Sequence, residues 1–139
     1  MSKKRKIPIW VTEFQREIDK LKKKTKNGDI YQYPQGNLEI LKKTGRGDCI
    51  AISRLFREIL RKHNIDRVQH LVVGVMDPKD EANHQITVVY EDKEKIWLQS
   101  NEKILCFKAL HLLIKYSENE MAWNKKGFMI IKKAWLSWC

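Results

Sequence analysis

A cysteine in this sequence has the neighbours that thiol chemistry requires. Cys49 follows Gly47 and Asp48 and begins a segment whose apolar residues recur at helical spacing. The first turn of a helix carries unpaired backbone N–H groups and the positive end of the helix dipole, and both favour a thiolate. We therefore interpret Cys49 as a candidate nucleophile. The alternative is a small buried hydrophobic residue, which is the usual role of a single cysteine.

The candidate base is His84, which begins a segment of alternating residue types at positions 84–91. Alternation places His84 on one strand face with Ile86 and Val88, which we take as the inward face. There it is expected to meet the thiol of a helix packed across the sheet. It could instead be a core histidine with ordinary hydrogen bonds. The remaining histidines are weaker candidates because of their positions: His63, His70 and His111.

A nucleophile and base work better when a third group fixes the orientation of the imidazole. If the strand that starts at His84 turns at Asp92-Lys93 into the next strand, Asn101 lies opposite His84 and Gln99 lies diagonal to it. Both amides would then share the face of His84. A slip of one residue would send them to the other face, so this prediction depends on the register.

Local patterns predict the elements that hold these residues. Apolar spacing predicts a helix over residues 10–26, with a capping box at Thr12 and Gln15, and a helix from Cys49 to about His63. Asn37 and Asp48 are the predicted N-caps of a short helix and of the cysteine helix. Residues 68–76, 84–91 and 95–99 are predicted to form an antiparallel meander. Residues 104–116 could be helix or strand, and residues 121–131 resemble a hairpin.

Length and composition predict one domain over residues 1–139, with residues 1–8 as a basic, flexible tail. An apolar run of about 20 residues and a secretory leader are both lacking, so we expect a cytoplasmic protein without a membrane partner. The cysteines lie far apart, at positions 49, 106 and 139, which suits neither a disulfide framework nor a zinc site. No metal or organic cofactor is expected.

The formal net charge of +11 suggests a second class of function. The lysine- and arginine-rich N-terminus, which opens with Lys3-Lys4-Arg5-Lys6, would attract nucleic acid or an acidic protein partner. A solvated helix face with a frayed basic tail explains the same charge, since no nucleic-acid-binding motif accompanies it.

These motifs resemble the bacterial transglutaminase-like cysteine proteinases of the papain-like superfamily. The resemblance rests on Gly47-Asp48-Cys49 opening a helix, His84 beginning a strand, and Ile96-Trp97-Leu98-Gln99 on the next strand, and it covers roughly residues 45–131. It implies an α+β papain/transglutaminase-like fold, in which N-terminal helices include a cysteine helix packed on an antiparallel β-sheet. It also implies acyl transfer by a Cys-His-Asp triad, as hydrolysis or transamidation of a peptide or protein amide.

The sequence departs from that family at two places. Gln99 stands at the position of the family's Asp, and Ile50-Ala51 replace acidic residues. The predicted site is therefore Cys49 and His84 with Gln99 or Asn101 as the orienting amide. Further candidates are Gln35, as an oxyanion donor by analogy with papain-like enzymes, and Trp97, as a substrate contact. The alternative is a catalytically inactive protein of this fold that acts as a basic binding module.

Overall fold

Three helices precede an antiparallel sheet, whose last strand follows a fourth helix. The structure is a computed structural model that describes residues 7–74, 83–121 and 129–135. Its elements are α1 (Ile9–Lys22), α2 (Leu38–Thr44), α3 (Cys49–Lys62), β1 (Val68–Gly74), β2 (Asn83–Asp92), β3 (Lys95–Ser100), β4 (Lys103–Phe107), α4 (Leu110–Met121) and β5 (Met129–Trp135). The expected α+β class and the packing of the cysteine helix on an antiparallel sheet are confirmed.

Side-chain caps start α2 and α3 where the sequence predicted them. The Asn37 Oδ1 atom accepts the backbone N–H of Ile40 at 3.1 Å. Asp48 Oδ1 accepts the N–H groups of Ile50 at 2.9 Å and Ala51 at 3.2 Å. These bonds satisfy donors that the first helical turn leaves unpaired. The position of Cys49 at the start of α3 is thus fixed by its neighbour in sequence.

The predicted first helix forms as α1, and its apolar stripe is buried against α3: Trp10, Phe14, Ile18 and Leu21. The predicted capping box at Thr12 and Gln15 is wrong, because α1 already begins at Ile9 with Pro8 in the cap position. Proline suits this place because its fixed φ is compatible with the start of a helix and its missing N–H costs nothing there. Among the described helices, none has the length and apolar character needed to cross a bilayer.

The sheet has the strand order β4-β3-β2-β1-β5, and each neighbouring pair is antiparallel. The predicted meander is therefore confirmed and is extended at both edges. Residues 104–116 divide between β4 and α4, which explains their mixed pattern. The predicted C-terminal hairpin is wrong at Met121, which ends α4, while residues 122–128 lie outside the described residues, as do the basic residues 1–6.

Apolar residues cover both faces of this sheet. One face packs against α1 and α3 through Val68, Val89 and Trp97. The other packs against Leu113 of α4 and carries a second cluster: Leu71, Ile86, Val88, Ile96 and Leu98. Because successive residues of a strand point to opposite faces, these clusters decide the face on which each polar residue of the sheet lies.

Candidate active site

The register of the β2–β3 hairpin differs by one residue from the predicted register. Ile86 pairs with Ser100 and Thr87 pairs with Gln99, and the ladder has an irregularity between Tyr90 and Asp92. Lys93 and Glu94 form the turn instead of Asp92 and Lys93. The predicted register is therefore wrong. Its consequence is that Gln99 and His84 lie on opposite faces of the sheet.

His84 shares its face with Ile86 and Val88, and this is the α4 face. The expectation that this face meets the cysteine helix is wrong, because α3 packs on the face of Val89 and Trp97. The His84 Nε2 atom lies 2.7 Å from the Ser100 hydroxyl oxygen. Burial lowers the pKa of His84 to about 4, so the imidazole is neutral at physiological pH. Sequence reasoning missed Ser100, since only the correct register identifies it.

Cys49 lies where α3 meets the open edge of β2. The N–H of Tyr90 donates to the Arg67 carbonyl at 2.9 Å, on the side of β2 that faces β1. The backbone groups of successive strand residues point to alternate sides. Gln85 is an odd number of residues from Tyr90, so its N–H and C=O point toward the β3 side. The β3 ladder ends at the Ile86 pair and leaves Gln85 without a strand partner on that side. Helix α3 supplies partners instead, because the Gln85 N–H faces the Cys49 thiol.

Ser53, one helical turn after Cys49, contacts the same uncovered edge of β2. Its hydroxyl lies 3.4 Å from the Gln85 carbonyl oxygen. Cys49 and Ser53 are four residues apart, so they lie on the same face of α3. The N-terminal half of α3 therefore contacts the peptide groups on both sides of Gln85, and the peptide group that contacts the thiol is the one that follows His84. The thiol and the imidazole approach this peptide from opposite faces of β2.

The environment of Cys49 favours the protonated thiol. Its side chain is only 8% exposed, and burial raises its pKa above the ordinary cysteine value. The Gln85 N–H opposes this shift, the Asp48 carboxylate adds to it, and the N–H groups of Cys49 and Ile50 oppose it. The thiolate-stabilising effect expected at a helix N-terminus is therefore outweighed by desolvation.

The two amides predicted to orient His84 have other positions. Gln99 is fully buried on the α3 face, where its Oε1 atom accepts the Ser53 hydroxyl at 3.2 Å and its Nε2 atom donates to the Asn101 carbonyl at 2.7 Å. Asn101 lies in the β3–β4 turn with a φ of 50°. The register places Gln99 on the face opposite to His84 and places Asn101 beyond the last β2–β3 pair. Gln99 instead connects α3 to the end of β3.

Further polar groups lie under α3 beside Gln99. The side-chain amide nitrogen of Gln85 lies 2.8 Å from Nε2 of His70, and Thr87 is fully buried next to them. His70 pairs with Thr87 across β1 and β2, so the two share the α3 face. A polar layer in an otherwise apolar core is expensive unless its members are hydrogen-bonded. Gln85, whose backbone N–H faces the Cys49 thiol, belongs to this layer.

Gln35 lies next to the cysteine motif but its amide is already engaged. Its Nε2 atom donates to the Arg46 carbonyl at 2.9 Å and to the Asn37 carbonyl at 3.2 Å. Its Oε1 atom accepts the Asn37 N–H at 2.9 Å, and its own backbone N–H donates to Asp48 Oδ2 at 3.1 Å. Both amide hydrogens therefore hold the loop, so Gln35 serves here to position the N-terminus of α3.

Gly47 is required by the packing of the same motif. A Cβ atom at this position would lie 2.8 Å from the Cβ of Ala51 and 3.2 Å from Nε2 of Gln35. Contacts this short force one partner to move. The glycine therefore allows the loop to lie against the first turn of α3. In the Gly-Asp-Cys sequence, Gly47 permits this close approach, Asp48 caps the helix and Cys49 carries the thiol.

Trp97, the predicted substrate contact, is a core residue. It is buried on the α3 face, and its ring packs edge-on against Trp10 with centroids 5.7 Å apart. Its indole N–H donates to Glu91 Oε1 at 3.0 Å.

No protein-family model, curated protein or solved structure matches this chain. The site is therefore interpreted from its own geometry. Within residues 7–74, 83–121 and 129–135, no group of three histidine, cysteine or acidic side chains is placed to hold a metal ion. The chemistry available at the N-terminus of α3 is that of a thiol and backbone donors, while the His84 imidazole lies on the opposite face of β2.

Proposed function

We propose that this chain is a cysteine-dependent acyl-transfer enzyme of the papain/transglutaminase-like fold, with Cys49 as nucleophile and His84 as base. Its substrate class is a peptide or protein amide. One observation carries the proposal: the Cys49 thiol, on the first residue of α3, contacts the peptide group that joins His84 to Gln85. The thiol thus contacts the backbone next to His84, while the imidazole itself bonds to Ser100 on the α4 face.

In this proposal the Cys49 sulfur attacks the substrate carbonyl carbon while His84 accepts the thiol proton. The tetrahedral intermediate collapses as His84 donates that proton to the leaving amine, and a thioester on Cys49 remains. Water or a second amine then attacks the thioester and restores the thiol, which gives hydrolysis or transamidation. We assign the N–H of Gln85 and the N–H of Cys49 as oxyanion donors. Gln35 is not used, because its amide holds the loop.

The proposal includes one movement of His84. In the resting arrangement its imidazole bonds to Ser100 on the α4 face, whereas the thiol lies on the α3 side of β2. The β3 ladder begins only at the Ile86–Ser100 pair, so the edge of β2 beside His84 is not covered by β3. Catalysis requires the imidazole to leave Ser100 and approach the thiol around this edge. Ser100 then acts as the resting partner of the base.

An activated ester tests this proposal without knowledge of the natural substrate. p-Nitrophenyl acetate should acetylate Cys49, which mass spectrometry of peptides detects as a hydroxylamine-sensitive thioester. Cys49→Ser should abolish the modification, whereas Cys106→Ser, which alters the half-buried cysteine of β4, should leave it unchanged.

The pH dependence of acetylation distinguishes a thiol that transfers its proton to His84 from a thiol that reacts only as the free thiolate. A neutral thiol that transfers its proton to His84 reacts at a rate that is nearly constant between the two pKa values, whereas a free thiolate gains about tenfold per pH unit below its pKa. We expect the flat profile in the wild type and the steep one in His84→Gln. A steep profile in both proteins, or acetylation of Cys106 in preference to Cys49, would refute the proposed pair.

A further inference from the structure

The exposed side of α3 carries a cluster of arginines that the proposed chemistry does not use. Arg54, Arg57 and Arg61 are spaced by three and four residues, so they lie along one face of the helix. Together with Leu38 and Glu58 they line an open depression of about 310 Å³. We call these three residues the arginine cluster. It lies on the outer side of the helix that presents Cys49 to the sheet.

The positive charge of the arginine cluster is not neutralised within the described part of the chain. None of its guanidinium groups forms an ion pair there, and the carboxylate of Glu58 is bound by Lys42 at 2.7 Å. Lysines elsewhere on the surface do have acidic partners: Lys20 with Glu17, Lys22 with Glu102 and Lys62 with Glu13. The depression therefore concentrates positive charge that is accessible to an external anion.

Backbone carbonyls hold two of these guanidinium groups in place. Arg54 Nη1 donates to the Gly36 carbonyl at 3.0 Å, and Arg57 Nε donates to the Ser53 carbonyl at 3.4 Å. Each group keeps its other N–H donors for a ligand. Burial, and after it the charge of Arg54, lower the pKa of Arg57. An anion in the depression would relieve this repulsion.

We propose that the arginine cluster binds the phosphodiester backbone of nucleic acid. From Arg54 to Arg61 the helix rises by about 10 Å, so the three guanidinium groups form a row that can follow the regularly spaced charges of a nucleic-acid strand. Guanidinium groups bind phosphate oxygens with two parallel hydrogen bonds, so each arginine of the cluster can bind one phosphate. A single carboxylate would neutralise one of the three charges. The net charge of +11 would add long-range attraction.

Fluorescence anisotropy with the full-length protein tests this inference. The probes are a labelled DNA strand of about 16 nucleotides and the corresponding duplex, titrated over a range of salt concentrations. The test variant is Arg54→Gln/Arg57→Gln/Arg61→Gln. The matched control, Lys20→Gln/Lys22→Gln/Lys62→Gln, removes the same number of charges from lysines that already have acidic partners. Circular dichroism and thermal unfolding verify that both variants fold.

The arginine variant should bind the single strand more weakly, and the slope of log affinity against log salt should fall by about 2, since each lost phosphate contact removes about 0.7. The lysine variant should retain most of the wild-type slope. Equal losses in the two variants would show general charge attraction and overturn the inference. The inference would also be overturned if the arginine variant bound DNA like the wild type but bound labelled poly-glutamate more weakly. That result would indicate that the ligand of the arginine cluster is an acidic polypeptide.

If the triple variant does not fold, the single variants Arg54→Gln and Arg61→Gln replace it, because both side chains are exposed. Each should lower the salt slope by roughly 0.7 for the single strand. A slope unchanged in both would overturn the inference. The outcome is independent of the proposed acyl transfer, because Cys49→Ser should bind DNA like the wild type.

Discussion

The imidazole of His84 lies beside the hydroxyl of Ser100, the β3 residue in the last pair of the β2–β3 ladder, with Nε2 and Oγ 2.7 Å apart. Ser100→Ala removes this bond and leaves a half-buried ring nitrogen without that partner. We expect the free energy of unfolding to fall by about 1 kcal/mol, measured by urea denaturation at pH 7. Ser100→Thr keeps the hydroxyl and should stay closer to the wild type. Equal losses in the two variants would show that the bond contributes nothing.

Acid should destabilise this protein through His84. Its pKa is about 4 in the folded state because it is buried, compared with about 6.5 for an exposed histidine. Between these values the unfolded chain binds a proton that the folded chain does not, so stability falls as the pH is lowered from 6.5 to 4. The contribution is roughly 3 kcal/mol over this window.

Urea denaturation of His84→Gln at pH values across the same window measures this contribution. The variant should lose most of the acid sensitivity attributed to His84. His111→Gln, which changes an exposed residue of α4, should retain the wild-type dependence. If His84→Gln and the wild type show the same dependence on pH, the buried neutral imidazole is not the cause.

Gln99 should prove to be a structural link between α3 and β3. Gln99→Met keeps the length of the side chain but leaves the Ser53 hydroxyl and the Asn101 carbonyl without their amide partner. We expect it to cost about 1–3 kcal/mol of unfolding free energy. Gln99→Glu should cost more at pH 7, because it buries a carboxylate at the same place.

Comparison with the wild type at each pH isolates the effect of that carboxylate. The excess cost of Gln99→Glu over Gln99→Met should shrink as the pH is lowered, since a protonated Glu is neutral and can donate to the Asn101 carbonyl. A constant excess would mean that the carboxylate reaches solvent, in conflict with the full burial of Gln99.

The close approach at Gly47 predicts a destabilising alanine substitution. In Gly47→Ala the new Cβ would lie 2.8 Å from the Cβ of Ala51, which is fully buried in the first turn of α3. We expect a loss of about 1–3 kcal/mol in unfolding free energy. In Gly36→Ala the nearest atoms belong to Ile50 at 3.3 Å, and Ile50 is partly exposed and can move. Thermal unfolding should rank Gly47→Ala as the less stable protein.

The sequence determined the local structure around the candidate nucleophile. Asp48 and Asn37 cap their helices where the residue types predicted, because a cap needs only a side-chain oxygen two or three residues before the N–H group it accepts. The apolar stripes of α1 and α3 and the antiparallel meander were likewise predicted from their periods of 3.6 and 2 residues. These features depend on neighbours that are close along the chain.

The tertiary structure decided which residues meet. Both faces of the sheet are covered by helices, so the alternation that groups His84 with Ile86 and Val88 cannot by itself tell the α3 face from the α4 face. The turn at Lys93-Glu94 shifts the pairing by two positions, and the irregularity between Tyr90 and Asp92 takes one of them back, so Gln99 lies on the face of Ser53 and His84 has the partner Ser100. A shift of one residue changes little in local energy but exchanges the two faces of a strand.

The protonation of Cys49 was also decided by the tertiary structure. The sequence shows that the thiol begins a helix, and the charge–dipole interaction at that position favours a thiolate. How much solvent the thiol loses depends on β2, whose Gln85 peptide is more than thirty residues further along the chain. Desolvation grows with the depth of burial and outweighs the helix dipole here, so the pKa of Cys49 is raised.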